Sequence, residues 1–135
     1  MWRRRPTQQR PGQPAGGGPA AFLGTWQYQK TSKASFSCND GTSFVATFDG
    51  TETETFAAGV QANELAATDD TGCPATCAVD GATATCAGQA CDGITVTSDV
   101  FTVAGGELHE VTNGTAQLDD GTLCDFSGTG VLDRI

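Results

Sequence analysis

Six cysteines are the residues of this chain best suited to chemistry. Zinc sites nearly always use two-residue gaps, because that turn aims both thiolates at one ion, whereas the central four cysteines have gaps of three and four residues. A redox or nucleophilic thiol needs a basic neighbour or a Cys-x2-Cys turn, and the sequence has neither. An even cysteine count in a small domain instead indicates disulfides formed outside the reducing cytosol. The predicted disulfide residues are Cys38, Cys73, Cys77, Cys86, Cys91 and Cys124.

One predicted hairpin indicates how these cysteines pair. Cys77 and Cys86 flank a segment with Asp80-Gly81 at its tip, so folding the hairpin places the two cysteines opposite each other. Six cysteines allow fifteen pairings, and this arrangement is a preference among them. The other two pairs of the preferred arrangement are Cys73–Cys91 and Cys38–Cys124.

The remaining ionisable groups offer weaker candidates. His109 is the only histidine, and Glu107 shares its strand face, so the two can form a carboxylate–imidazole pair. Glu52 and Glu54 alternate with threonines, but paired acids hydrolyse glycosides only when they face each other across a cleft. As neighbours on one strand, they are predicted to lie on a solvated edge. The sequence also lacks a Gly-x-Ser-x-Gly elbow and a phosphate-binding loop, so we predict no catalytic residue and no enzyme.

Two acidic pairs, Asp69-Asp70 and Asp119-Asp120, raise the question of calcium. Calcium takes six or more oxygens from defined loop positions, and the Asp-x-Asp-x-Asp-Gly spacing is absent. We therefore predict turn residues here, with no metal site and no cofactor.

The charge distribution limits the partners. The chain has a formal net charge of −9, and all 16 acids follow residue 18, with only Lys30, Lys33 and Arg134 to balance them. Such a surface repels phosphate backbones, so nucleic-acid binding is excluded, and the partner stays unknown.

Residues 1–20 are predicted to form a disordered basic tail rich in Pro and Gly, ahead of a single domain over 21–135. The tail begins like a secretory leader but has no apolar segment. No stretch reaches the length of an integral membrane segment. Because the cysteines indicate an oxidising compartment, we expect a signal sequence upstream of the given start, with the protein secreted or in the cell envelope.

From Phe22 onward the pattern is all-β. Runs of Thr, Val, Phe and Ile alternate with Asp-Gly, Asn-Gly and Gly-Gly turn signals, which predicts sequential antiparallel strands. The predicted fold is an up-and-down meander closed into a small, disulfide-stapled barrel, with a β-sandwich as the alternative. The predicted strands are 25–29, 35–38, 43–48, 52–57, 64–68, 76–79, 82–86, 94–103, 107–112, 115–118 and 123–132.

Some local assignments are less defined. Residues 56–67 are rich in helix formers, so a short helix is an alternative to a hairpin centred on Gly59. Asn113-Gly114 is predicted to be a turn. Alternation places Phe44, Ala46 and Phe48 on one face, and it places Ile94, Val96 and Val100 on a face opposite to Asp99.

Gly24-Thr25-Trp26 resembles the opening of the lipocalin and fatty-acid-binding superfamily, in which Gly-x-Trp begins the first strand and the tryptophan closes one barrel end. This resemblance implies a lipocalin-like barrel that carries a small apolar ligand.

Over roughly Leu23 to Arg134 the chain also resembles a group of predicted secreted lipoproteins common in myxobacteria. The resemblance implies the fold and an extracytoplasmic compartment, and it implies no activity. It is carried by Gly24-Thr25-Trp26, Cys38, Gly72-Cys73, Gly88-Gln89-Ala90-Cys91, Leu108-His109-Glu110, Cys124-Asp125-Phe126 and Gly130-Val131-Leu132.

Together these features predict a non-catalytic extracytoplasmic barrel domain with an interaction or structural role. The alternative is a lipocalin-like carrier of a small apolar ligand.

Overall fold

Turn-forming dipeptides divide the chain into eleven strands. The structure, a computed structural model, describes residues 18–87 and 89–135. The strands are β1 (Gly24–Tyr28), β2 (Lys33–Cys38), β3 (Ser43–Thr47), β4 (Thr53–Ala58), β5 (Glu64–Asp69), β6 (Pro74–Asp80), β7 (Thr83–Cys86), β8 (Gln89–Cys91), β9 (Ile94–Ala104), β10 (Glu107–Gln117) and β11 (Leu123–Arg134).

Eight of these strands form a closed antiparallel barrel in the order β1-β4-β5-β6-β7-β9-β10-β11. β11 then returns to β1, pairing Trp26 with Arg134 and Tyr28 with Leu132. Closure removes the exposed sheet edges that an open sheet would have. The predicted all-β barrel is therefore confirmed, and the chain does not adopt the β-sandwich alternative.

The β2–β3 hairpin departs from a simple meander. β2 follows β1 in sequence but pairs with the first half of β11, from Cys38 opposite Cys124 to Lys33 opposite Thr129. β1 pairs only with the last part of β11, so the hairpin extends the wall at one end of the barrel. Among the described strands, β3 pairs with β2 alone. The barrel is thus closed at one end and open beside β3 at the other.

The closed end contains the apolar core. Phe56 packs edge-on against Phe101, with ring centroids 5.1 Å apart, and Phe22 lies 6.0 Å from Phe56. The Trp26 indole N–H donates to the Phe22 carbonyl at 2.8 Å, and the Arg134 guanidinium lies 4.1 Å from the centre of the Trp26 ring. A cation over an indole ring adds stabilisation beyond burial. The other large, fully buried side chains of the core are Leu65, Leu108 and Leu132.

Three disulfides join strands of the barrel and its extension. Cys77–Cys86 links β6 to β7 with Cα atoms 3.9 Å apart, and both side chains are buried. The other two bonds are Cys38–Cys124, between β2 and β11, and Cys73–Cys91, beside β6 and β8. These are the three pairs of the arrangement that the sequence favoured.

Two local predictions were wrong. Asn113-Gly114 is not a turn but lies inside β10. The chain is extended there because β9 and β11 both pair with β10 along its length. β8 was not predicted at all. Residues 56–67 form a hairpin, as preferred over the helix alternative: β4 and β5 pair across a loop at 59–63 that begins at Gly59.

Most of the expected tail, residues 1–17, lies outside the described residues. Of the remainder, Pro19–Ala21 form one turn of 3-10 helix, and the Gly18 backbone N–H donates to the Gly81 carbonyl at 3.0 Å. No helix within 18–87 and 89–135 has both the length and the hydropathy of a membrane span.

Candidate functional site

A cavity of about 230 Å³ lies at the open end of the barrel. One part of its wall is aromatic and the other is acidic. A neighbouring cavity of about 260 Å³ shares four lining residues with it, so the space continues toward β8. The aromatic lining residues are Tyr28, Phe36, Phe48 and Phe126, and the acidic ones are Glu52, Glu54, Asp69, Asp70, Asp99 and Glu110.

The aromatic wall combines Tyr28 of β1 and Phe126 of β11 with Phe36 and Phe48 from the β2–β3 extension. Phe36 stacks on Phe44 at 4.7 Å and lies 5.4 Å from Phe126. Tyr28 stacks on Phe48 with ring centroids 4.5 Å apart. Aromatic pairs at these distances contribute about 0.5–1.5 kcal/mol beyond the area they bury. Of the predicted inward face, Phe48 lines the cavity, whereas Phe44 stacks on Phe36 and remains 42% exposed, so this face forms no continuous core wall.

A β-bulge directs Asp99 into the cavity. Ser98 pairs with Asn113, but the next pair is Val96 with Gly114, so Thr97 is an extra residue in β9. One inserted residue reverses the side-chain parity of a strand, so Asp99 joins Val96 on the inside. The prediction that Asp99 lies on the strand face opposite to Val96 was wrong for this reason.

Gly114 makes the bulge possible. A Cβ at this position would lie 2.2 Å from the Thr95 carbonyl oxygen and 2.7 Å from the Phe126 ring. Only glycine permits the backbone to approach β9 this closely. The Asn-Gly pair that looks like a turn signal thus positions a pocket residue on the neighbouring strand.

Tyr28 and Glu110 form the polar floor of the cavity. The Tyr28 hydroxyl donates to Glu110 Oε1 at 2.6 Å, and both side chains are buried. A Cβ on Gly130 would come within 2.9 Å of the tyrosine ring, so this glycine makes room for it. Burial, and then the negative charge of Glu110, raise the pKa of Tyr28 well above its ordinary value, so the hydroxyl stays a donor.

Two carboxyl groups beside Glu110, those of Asp99 and Glu54, are held neutral. Burial raises the pKa of Asp99 to about 10, and hydrogen bonding to Glu110 adds to the shift. Burial also raises the pKa of Glu54 to about 8, followed by the charges of Glu110, Asp69 and Asp70. Side-chain exposure is 9% for Glu54, 8% for Asp99 and 7% for Glu110. At neutral pH the floor therefore holds carboxylic acid protons, which is unusual for acids in a water-accessible barrel.

One atom of this floor lacks a partner. Oδ1 of Asp99 is buried and receives no hydrogen bond from any described residue. An unsatisfied buried acceptor costs about 1–3 kcal/mol, so such atoms in native proteins need an explanation.

The candidates predicted from sequence lie in different places. His109 and Glu107 do pair, at 3.4 Å, but on the outer surface, where both are nearly half exposed. Glu54 was predicted to lie on a solvated edge, and this was wrong: it is buried in the floor, because its neighbour Phe56 belongs to the core face of β4. The His109–Glu107 pair and the cavity are therefore separate.

The acidic pairs perform turn chemistry as predicted. Asp69 Oδ1 accepts the Thr71 backbone N–H at 2.9 Å and the Cys73 N–H at 3.0 Å, and Asp120 Oδ1 accepts the Thr122 N–H at 2.9 Å. Such Asx turns replace backbone hydrogen bonds that the turn cannot make. In the part of the chain that the structure describes, no group of three or more His, Cys, Asp or Glu side chains is placed to hold a metal ion.

Sequence reasoning missed three floor residues, Tyr28, Asp99 and Glu110. The sequence could have indicated that Glu110 points inward, because it lies two residues from the core residue Leu108 on the same strand. No comparable signal marked Asp99, whose direction depends on the bulge.

No protein-family model matches this chain, and no curated protein is similar to it. The site must accordingly be interpreted from its own geometry.

Proposed function

We propose that this protein is a non-catalytic binding protein that works outside the cytoplasm and holds a small molecule at the open end of its barrel. The observation that carries the proposal is the cavity itself, in which aromatic rings face a buried polar floor. Ligand sites of this kind are concave, mainly apolar, and contain a few convergent polar groups that fix orientation.

The size of the cavity bounds the ligand. The part between the aromatic and acidic walls has a volume of about 230 Å³, below the roughly 300 Å³ at which sites for drug-sized ligands begin, and the space continues from it toward β8. We therefore expect the part of the ligand held between these walls to be one ring or a short chain. The carboxyl floor disfavours a purely apolar ligand, because desolvated polar groups without partners cost free energy.

The three disulfides support the extracytoplasmic location. Such bonds persist in oxidising compartments and are rare in reducing ones, and they stabilise small domains. Binding alone accounts for the cavity and its polar groups, so we propose no reaction.

A fragment screen by two-dimensional NMR tests the proposal. We expect small aromatic fragments to shift amide resonances of β2, β9 and β10 in the wild type. Ala34 lines the cavity, so Ala34→Trp should fill it and abolish these shifts. Ser35→Trp is the matched control, since Ser35 is exposed on the other face of the same strand. Failure of every fragment to bind, or equal binding by Ala34→Trp, would contradict the proposal.

An interaction role is the second candidate, and the free side of β3 favours it. All of Ser43–Thr47 is exposed, and Val45 has 57% of its surface accessible. A second copy of the chain could add a strand here by antiparallel pairing. Sedimentation equilibrium should then show a dimer that Val45→Lys weakens, whereas a monomer at all concentrations would exclude this pairing.

A further inference from the structure

We propose that the ligand of this cavity is a small organic cation, an amine with a short apolar body, whose ammonium group binds at Asp99. This inference rests on the proposed binding function and names the chemical class of the ligand.

The first support is charge. Six acidic side chains line the cavity, and within residues 18–87 and 89–135 no Lys, Arg or His lines it. Walls of one charge sign with low-dielectric surroundings concentrate ions of the opposite sign. An anion would meet net repulsion here, and a neutral molecule would gain nothing from the negative charge of the ionised acids.

The second support is the unpartnered oxygen of Asp99. The Tyr28 hydroxyl already serves Glu110, so no described side chain is left to donate to Asp99 Oδ1. An ammonium group carries three N–H donors, enough for one bond each to Asp99, Glu110 and Glu54. Hydrogen bonds from a cation to a carboxylate are about twice as strong as neutral ones.

The aromatic wall favours an organic cation over a metal ion. Phe36, Phe48 and Phe126 add aromatic, apolar surface to the lining of the same cavity. A ring within about 6 Å of a cation attracts it, and the same rings pack against an apolar body. The described residues provide no cluster of metal ligands, so these carboxyl groups are not arranged for a bare ion.

Binding must then be linked to proton release. Asp99 carries a proton in the free protein at neutral pH, and a bound ammonium favours its carboxylate, so the carboxyl O–H bond breaks and the proton passes to the buffer. The titratable groups that line the cavity with Asp99 are Tyr28 from β1, Glu52 and Glu54 at β4, Asp69 and Asp70 at the end of β5, and Glu110 from β10. The described lining residues of β2, β8 and β11 carry no charge. All of these groups are neutral or negative, so affinity for the cation should rise with pH.

Titration calorimetry with three matched probes tests the inference: 2-phenylethylamine, the neutral 2-phenylethanol and the anionic phenylacetate. We expect the amine to bind at least about tenfold more tightly than the alcohol, and phenylacetate not to bind. The heat of amine binding should differ between phosphate and Tris buffers because protons are released. Affinity for the amine should increase from pH 6 to pH 8.

Two variants locate the effect. Asp99→Asn, which keeps the shape of the side chain, should weaken amine binding about tenfold and leave alcohol binding within about twofold. Asp125→Asn, on the outer face of β11, is the control and should change neither. Circular dichroism checks that each variant folds.

The outcomes separate the two proposals. Equal or tighter binding of the alcohol, or displacement of the amine by equimolar calcium, would overturn the cation inference while the binding function stands. Amine binding without proton release would overturn the role of Asp99. No binding by any probe, together with a failed fragment screen, would overturn both.

Discussion

The two ends of the barrel are built from the same strands and differ sharply. β1 places Trp26 in the core and Tyr28 in the cavity, and β4 places Phe56 and Glu54 in the same way. β9 and β10 repeat the pattern with Phe101 and Asp99, and with Leu108 and Glu110. A step of two residues along a strand keeps the side chain on the inner face, so one alternation supplies both regions. The polar floor therefore lies directly on the apolar core, which removes water from below it.

The first test removes the covalent tie at the open end. Replacing Cys38 and Cys124 by Ala frees a loop of 86 residues and should cost about 4–5 kcal/mol, because the bond restricts the unfolded chain. Replacing Cys77 and Cys86, which are 9 residues apart, should cost about 2–3 kcal/mol by the same argument. Urea unfolding of both variants measures the difference. A larger loss for Cys77/Cys86 would show that packing at the closed end outweighs the long crosslink.

The second test compares aromatic packing at the two ends. Trp26→Ala should destabilise the protein by about 3–5 kcal/mol, since it removes a fully buried ring and leaves Arg134 without its partner. Phe48→Ala, at the half-exposed wall, should cost less than about 1.5 kcal/mol. Chemical denaturation followed by circular dichroism gives both values, and similar losses would contradict the division into core and pocket.

The third test concerns pH. The pKa of Asp99 is raised in the folded protein. The contribution of this carboxyl group to the free energy of unfolding is therefore fully present below the pKa that it has in the unfolded chain, and it is lost as pH rises toward about 10. Wild-type stability should therefore fall between pH 5 and pH 9. Asp99→Asn cannot ionise and should be more stable than wild type at pH 8, with an advantage that grows by up to about 1.4 kcal/mol per pH unit between pH 5 and pH 9. Thermal melts across this range measure it, with Asp125→Asn as control; parallel curves would refute the neutral floor.

The smallest effect is expected from Tyr28→Phe. It removes one hydroxyl donor from Glu110 and should cost about 1–2 kcal/mol, with little change in packing against Phe48. The same variant should leave the closed end intact, which near-ultraviolet circular dichroism of Trp26 can report. If Tyr28→Phe left the free energy of unfolding unchanged, a water molecule would be replacing the hydroxyl as the donor to Glu110.

Much of the architecture could be predicted from local signals. Asp-Gly turns and alternating strands are encoded within a few residues, so the barrel and most strand positions followed from them. Cys77 and Cys86 flank one hairpin, so their pairing was also local.

The pocket depended on information that a local pattern does not carry. The bulge at Thr97 forms only when Gly114 pairs across from it, and it reverses the face of Asp99. The placement of β2 beside β11 joins residues almost ninety positions apart, and it supplies the aromatic wall. Residue types alone did not show that Glu54 lies in the floor.

The decisive experiment is a carboxyl-carbon NMR titration of Asp99, because it reports the protonation of the buried floor itself. With selective ¹³C labelling, the account predicts that the Asp99 carboxyl carbon stays at its protonated shift from pH 5 to pH 8 and titrates near pH 10, with Glu54 titrating near pH 8. Asp125, on the outer face of β11, is the internal comparison within the same spectrum. A midpoint near pH 4 for Asp99 would contradict the account, since the carboxyl group would then be solvated and the cavity would offer no buried acid to a cation.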